Sequence, residues 1–420
     1  MNPTTISHFV RQISNNSIKF FNHNDVVRRC FCSSSSRSTK STGQNSENQN
    51  EPLVKTLLDD AALGFGPMDE IDGDDEWISS PYPQGAIVNP KQSQAMKSLR
   101  PKVNPGDTSI ILFPGQGSQY VGMGADLLKF PAARDIFDAA SEILKYDILK
   151  LMLNGPESKL NETMYCQPAV VVCSLAAIEK LKEERPSALE SCIATAGFSV
   201  GEITALTFAG VFSFGDAIKL VRARAEAMQL ASEMAPGGMA TVMYRHDTKL
   251  NEALKKAKEW CLDKGIEHPE CSIANYLNPD MKVVAGHLEA LRYLEQNKSY
   301  FNITDVKRIP LSIAAHSNLM IPGVPYFKKK LKKLHMKNPL VSVHSNVDGC
   351  YYRSGAHVYR QLPKQIYKPL KWEQTMHILY ERAKDSSFPQ TVICGPRNPL
   401  KSYLAGVNVK ASQFCEDILP

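Results

Sequence analysis

The sequence predicts an α/β protein: a large α/β-hydrolase-like body around a parallel sheet, with a small ferredoxin-like (βαββαβ) subdomain inserted in it. Three observations carry this. Apolar runs of strand length, SIILF at 109–113 and IATAG at 193–197, are each followed by a glycine-bearing turn and then helical periodicity, the alternation that builds a parallel sheet. The second turn reads GFSVG, a serine between two glycines where a strand should pass into a helix. Between Gly237 and Ile313 the order of elements changes to β-α-β-β-α-β.

The elements follow in chain order. Residues 1–42 carry Arg11, Lys19, Arg28, Arg29, Arg37 and Lys40 against the single acid Asp25, with many Ser and Asn. That composition is expected of a mitochondrial transit peptide and places the protein in the mitochondrial matrix; a disordered basic tail is the alternative. Residues 43–105 turn acidic and contain Pro81 and Pro83, which suits a flexible linker. The body is expected over 106–235 and 314–408. It opens with the strand 109–113, then helical stretches at Ala132–Leu153 and Gln167–Leu181, the strand 193–197, and a helix that stops at Gly210. The subdomain spans 236–313: strand MATVMY, helix Thr248–Lys264, strands CSIANY and MKVVAG, helix Leu288–Asn297, strand VKRIPLSI. A basic amphipathic helix over 321–336 and core strands LVSVHSN and FPQTVICG complete the body, and 409–420 reads as a C-terminal tail.

At 420 residues and 43% hydrophobic the chain can bury a large core. No apolar run approaches the ~20 residues of a membrane span. The net charge of +6 is modest for this length and gives no support to a nucleic-acid partner. Ten scattered cysteines without C-x-x-C spacing suggest neither a metal site nor a secreted disulfide framework.

In GFSVG the flanking glycines permit the sharp turn that exposes a serine, so Ser199 is a candidate nucleophile; a helix N-cap serine is the bland alternative. The N–H of Val200, at the start of the helix, could serve an oxyanion. His316, directly after the last subdomain strand in IAAHSNLM, is the best-placed candidate base, against a hydrogen-bonded core histidine. No acid stands out as a third member, which leaves a backbone carbonyl to orient the ring. Arg224 shares a helix face with Ala217, Leu220 and Met228, where a buried charge needs a partner. A bidentate substrate carboxylate is one reading; an arginine at the stripe's edge, or one paired with an acid such as Glu202, is the other.

FPGQGSQYVGMG, the QPA of CQPAVVV, GFSVGE, LVRARAEAMQ, IAAHSNLM and QIYKPLKW follow one another in this order between about residues 108 and 405. Together they resemble the malonyl-CoA:acyl-carrier-protein transacylases, and GFSVGE behind a mitochondrial-looking leader resembles the animal mitochondrial member. Phe198 stands where many members carry His. The resemblance implies a malonyl-serine intermediate on Ser199, His316 as base, and backbone N–H groups of Gln116 and Val200 as the oxyanion hole. It also implies that Arg224 holds the malonyl carboxylate and that Gln167 and Asn275 line the pocket. Implied with these are malonyl-CoA as substrate, no permanently bound cofactor or metal, and an acidic, phosphopantetheinylated acyl carrier protein as partner, supplying mitochondrial fatty acid synthesis. A basic docking face would then come from Lys328, Lys329, Lys330, Lys332, Lys333 and Lys337, which otherwise form a solvated helix face, or from Arg397 and Lys401. A serine thioesterase or hydrolase and a non-catalytic carrier-protein-binding scaffold are the rival functions.

Overall fold

The computed structural model describes residues 103–382 and 386–420. The transit-peptide reading of 1–42 and nearly all of the linker 43–105 lie outside the described residues.

Strand β1 (Ser109–Phe113) is buried along its whole length and sits at the middle of a five-stranded sheet. Its neighbours are β2 (Cys192–Gly197) and β8 (Gln390–Cys394); β7 (Ser342–His344) and β9 (Cys415–Ile418) form the edges. All pairs are parallel, so every strand delivers its C-terminal loop to the same end of the sheet. The register sets what meets there. Phe113 lies opposite Gly197 and Ala196 opposite His344, which brings the loops after β1, β2 and β7 level with one another.

Helices cover both faces. The helical stretch expected over Ala132–Leu153 is two helices, α1 (Pro131–Leu144) and α2 (Ile148–Asn154). Lys145 in a left-handed conformation ends the first, and the Asp147 carboxylate caps the second by accepting from the Lys150 N–H. The next helix, α3 (Thr163–Glu184), is long and apolar enough to cross a membrane by length and composition, which the strand-length runs of the sequence did not suggest. Most of it is buried: it is the core helix of the body, packed against α1 and α5 (Phe214–Met234). Buried side chains such as Ile136, Phe137 and Leu181 each contribute about 1.5–3 kcal/mol to that packing. After β2 comes α4 (Gly201–Phe208), followed by Gly210 at positive φ where the helix was expected to stop.

The second sheet is antiparallel, in the order β4-β5-β3-β6, built from β3 (Gly237–Met243), β4 (Cys271–Asn278), β5 (Met281–His287) and β6 (Asp305–Ile309). Its helices α6 (Leu250–Asp263) and α7 (Leu288–Asn297) share a core with it around Leu254, Val284, Leu291 and Phe301. The arrangement is ferredoxin-like: the second and third strands pair as a hairpin, and the first lies between the third and fourth.

Two further expectations are corrected. The basic helix read over 321–336 is shorter: α8 (Val324–Leu331) holds its apolar residues Val324, Phe327 and Leu331 inward, and the chain turns after Lys332. Residues 409–420 are not a tail. A helical turn at Val409–Ser412 leads into β9, which pairs in parallel with β8 and adds a fifth strand to the sheet; Cys415 and Ile418 are buried while Glu416 faces out, the pattern of an edge strand.

Candidate active site

The chain passes from β2 to α4 through Phe198, Ser199 and Val200, and Ser199 holds a left-handed φ of 53°. Only glycines fit on either side. A Cβ on Gly197 would lie 1.9 Å from the Gly201 carbonyl oxygen, and one on Gly201 would lie 2.5 Å from the carbonyl oxygen of Phe113. The turn is pinned from the β7 side. Asn346 accepts from the Ser199 N–H (2.8 Å) and donates to the Gly197 carbonyl (2.8 Å).

His316, also left-handed at φ 61°, reaches the serine from the segment after β6: Ser199 Oγ lies 2.8 Å from His316 Nε2. On the other side of the ring Nδ1 lies 2.6 Å from the backbone carbonyl of Gln365. A carbonyl only accepts, so Nδ1 carries the proton and Nε2 is left free to accept from the serine hydroxyl. Burial and the nearby Arg224 charge push His316 down to about 3, the Gln365 carbonyl opposing, so the ring is neutral at physiological pH.

Arg224, on α5, is 1% exposed, and among the described residues it forms no ion pair with an acid. Its donors go instead to Gln167 Oε1 (2.8 Å), Gln365 Oε1 (2.8 Å) and Ser199 Oγ (3.2 Å), and its Nε has no partner among the described residues. Burial lowers it to about 10, with Glu202 opposing, so it keeps its charge. A cation held by neutral amides beside a serine is arranged to receive an anion. Among the described residues Glu202 shares no hydrogen bond with it; Gln365 is bonded to both, and the Glu202 charge acts on Arg224 across that amide.

Gln116 follows β1 and the register of β1 with β2 sets its loop beside the serine turn. Its side chain accepts from Gln167 Nε2 and donates to Thr163, each at 3.3 Å, so the loop is tied to α3. Neither the Gln116 nor the Val200 N–H donates to a backbone acceptor among the described residues. Asn275 lies elsewhere on β4, bridged to Leu370, with its Oδ1 unpartnered; no hydrogen bond links it to Ser199, His316 or Arg224 among the described residues. Exposed Lys328, Lys329, Lys332 and Lys333 belong to α8 and its C-terminal turn, which packs on α5 through Gly323 and Tyr326 and then leads away toward Val211. Arg397 stacks over Tyr120, just beyond the glutamine loop, and Lys401 donates to the Cys415 carbonyl. Among the described residues no group of three His, Cys, Asp or Glu side chains could hold a metal.

Sequence reasoning missed Gln365, Asn346 and Tyr352, and considered Glu202 only as an ion-pair partner of Arg224. Gln365 was within reach: it opens QIYKPLKW, one of the motifs already singled out.

An acyl transferase domain model matches residues 110–354. Over 79% of this chain and 88% of its own length, the Drosophila melanogaster protein named as a probable mitochondrial malonyl-CoA-acyl carrier protein transacylase is 54% identical. The chain belongs to the malonyl-CoA:acyl-carrier-protein transacylase family. It is an acyltransferase, and the mitochondrial Homo sapiens transacylase is 48% identical over 73% of this chain and 79% of its own. These mitochondrial relatives make this a mitochondrial transacylase. A solved structure of a type II PKS acyl-carrier protein in complex with its malonyl-transacylase superposes with a TM-score of 0.65, at 28% identity, over 74% of this chain and 94% of that one.

Proposed function

We propose that the protein transfers the malonyl group from malonyl-CoA to the phosphopantetheine thiol of an acyl carrier protein in the mitochondrial matrix, by a ping-pong reaction through a malonyl-serine ester. The observation that carries this reading is the buried Arg224 guanidinium 3.2 Å from Ser199 Oγ, with no carboxylate hydrogen-bonded to it among the described residues. A dicarboxylic acyl group supplies the missing anion and, held there, presents its thioester carbonyl to the serine.

Ser199 Oγ attacks the thioester carbon as its proton passes to His316 Nε2, whose Nδ1–H stays on the Gln365 carbonyl. The oxyanion is received by the backbone N–H groups of Gln116 and Val200, donors each worth about 2.7–4 kcal/mol in comparable sites. The C–S bond breaks, CoA leaves as the thiol with the proton from His316, and the malonyl-serine ester remains. The carrier-protein thiol then gives its proton to His316 and attacks the same carbonyl, and Ser199 leaves reprotonated. Gln167, bonded to both Arg224 and Gln116, lines the acyl site in this scheme. Arg397 and Lys401, exposed on the loop and helix after β8, suit an acidic carrier better placed than the lysines of α8, because β8 adjoins β1 and its glutamine loop.

Intact-mass spectrometry after brief exposure to malonyl-CoA, and in parallel to acetyl-CoA, tests the reading. A malonyl adduct that is absent in Ser199→Ala and passes to added holo carrier protein is expected. Steady CoA release without transfer would mean a hydrolase, and no adduct or turnover with either thioester would mean a scaffold.

A further inference from the structure

Beneath the reacting pair lies a carboxyl that the proposed reaction leaves unused. Glu202, in the first turn of α4, is fully buried and takes three donors: the Tyr352 hydroxyl and the Asn346 N–H (3.3 Å) on Oε1, and Gln365 Nε2 (2.7 Å) on Oε2. Gln365 bonds to Ser199, His316, Arg224 and Glu202 together. Its backbone oxygen holds His316 Nδ1, its Oε1 accepts from Arg224, and its Nε2 donates to the Ser199 carbonyl at 2.7 Å as well as to Glu202.

An amide side chain has distinct ends. With Nε2 held by two acceptors, Oε1 is left facing Arg224; a flipped amide would set its NH₂ against the guanidinium and its oxygen against the carboxylate. We propose that Glu202 is a positioning residue that fixes the side chain of Gln365, and so both the amide oxygen that receives the Arg224 guanidinium and the backbone carbonyl that holds the His316 imidazole, while serving as the buried counter-charge of Arg224 until an acyl carboxylate arrives. This rests on the acyltransfer reading above. The groups facing Glu202 agree with it. Arg224 comes from α5, Asn346 and Tyr352 from the segment after β7 with Asp348 nearby, and Gln365 from the loop ahead of α9 (Trp372–Tyr380). Burial raises the carboxyl to about 7 and Asp348 adds to this, while the donors from Tyr352, Gln365 and Asn346 favour the charged form. Those donors need an acceptor, so a protonated Glu202 loses part of its hold on Gln365.

The test compares the full chain with Glu202→Gln, Glu202→Asp and Tyr352→Phe, reading malonyl-serine formation from pH 5.5 to 9, the malonyl-over-acetyl preference, and thermal melting. The wild type is expected to lose rate as pH falls through about 7. Glu202→Gln, neutral throughout, should be slower by about 10²-fold with that limb flattened, since small misplacements of reacting groups cost on this scale. Its malonyl preference should fall at least about tenfold, and Glu202→Asp should restore part of both. Tyr352→Phe, which removes one donor and leaves the charge, should move the acid limb to higher pH; it also decides the matter should Glu202→Gln fail to fold. Variants with wild-type rate, pH limb and preference would overturn the proposal, as would a rate loss that merely tracks loss of folded protein. A wild type that forms no malonyl adduct would overturn the acyltransfer reading and this proposal with it, whereas an adduct with unmoved variants overturns this proposal alone.

Discussion

Ser199 Oγ and His316 Nε2 lie 2.8 Å apart, and both residues hold left-handed backbone conformations, at φ 53° and 61°. Such a conformation costs about 1–3 kcal/mol in a residue with a side chain and persists where the surroundings over-determine it. They do so here. Asn346 grips the serine turn on two sides, and the His316 N–H and Nδ1 are bonded to the carbonyls of Ile366 and Gln365, neighbours in one loop. The strain is what turns the two side chains toward each other.

Arg224→Ala should lower kcat/KM for malonyl-CoA by about 10²–10³-fold, the scale of a lost charge-assisted pair, while acetyl transfer is kept or gained. Steady-state comparison of the two thioesters checks it. A variant that still strongly prefers malonyl would remove Arg224 from the carboxylate site.

Gly115→Ala tests the loop that would receive the oxyanion. A Cβ there would lie 2.4 Å from the carbonyl oxygen of Phe198, so the glutamine loop and the serine turn would have to part. A fall of about 10²–10³-fold in malonyl-serine formation is expected, with CoA binding less affected. Wild-type acylation in a folded variant would show that the Gln116 N–H is not needed.

Acid stability should report on His316. Its pKa is pushed from 6.5 in the unfolded chain to about 3 when folded, so its contribution is present above 6.5 and is lost as pH falls through that window toward 3. Glu202 works in the opposite sense: raised from 4.5 to about 7, its contribution is whole below 4.5 and is lost as pH rises through 7. Chemical denaturation at pH 7 and pH 4 should therefore show a smaller acid loss in His316→Gln than in the wild type. Equal losses would mean that the imidazole protonates freely in the folded protein.

Carrier docking can be divided between two faces. Charge reversal at Arg397 and Lys401 is expected to raise the KM for carrier protein several-fold, in a salt-sensitive way, without touching malonyl-serine formation. The same reversal at Lys328, Lys329, Lys332 and Lys333 should act less, because that face leads away from the serine toward Val211. A larger effect from the α8 set would move the docking face there.

What the sequence determined by itself is whatever local order encodes. The strand, glycine turn and helix around Ser199 are contiguous, so the elbow was legible, and Arg224 betrayed itself as a charge on an apolar helix face; His316 was picked out by small neighbours and by a strand expected to run up to it, but that strand ends at Ile309 and an irregular segment carries the histidine. The β-α-β-β-α-β order of the subdomain was legible for the same reason. The tertiary structure alone decided the rest. Whether Arg224 meets an acid or an amide depends on Gln167 and Gln365, which lie 57 and 141 residues away. Glu202, Asn346, Tyr352 and Gln365 are polar residues with no periodicity to mark them, and they become one network only when parallel pairing brings the ends of β2 and β7 together. The strand at 415–418 was likewise hidden: four residues with two acids carry too little apolar pattern to declare a strand, and its pairing is supplied by β8. Backbone propensity acts over a few residues, whereas burial of a polar group is settled by whichever partners the whole chain brings to it.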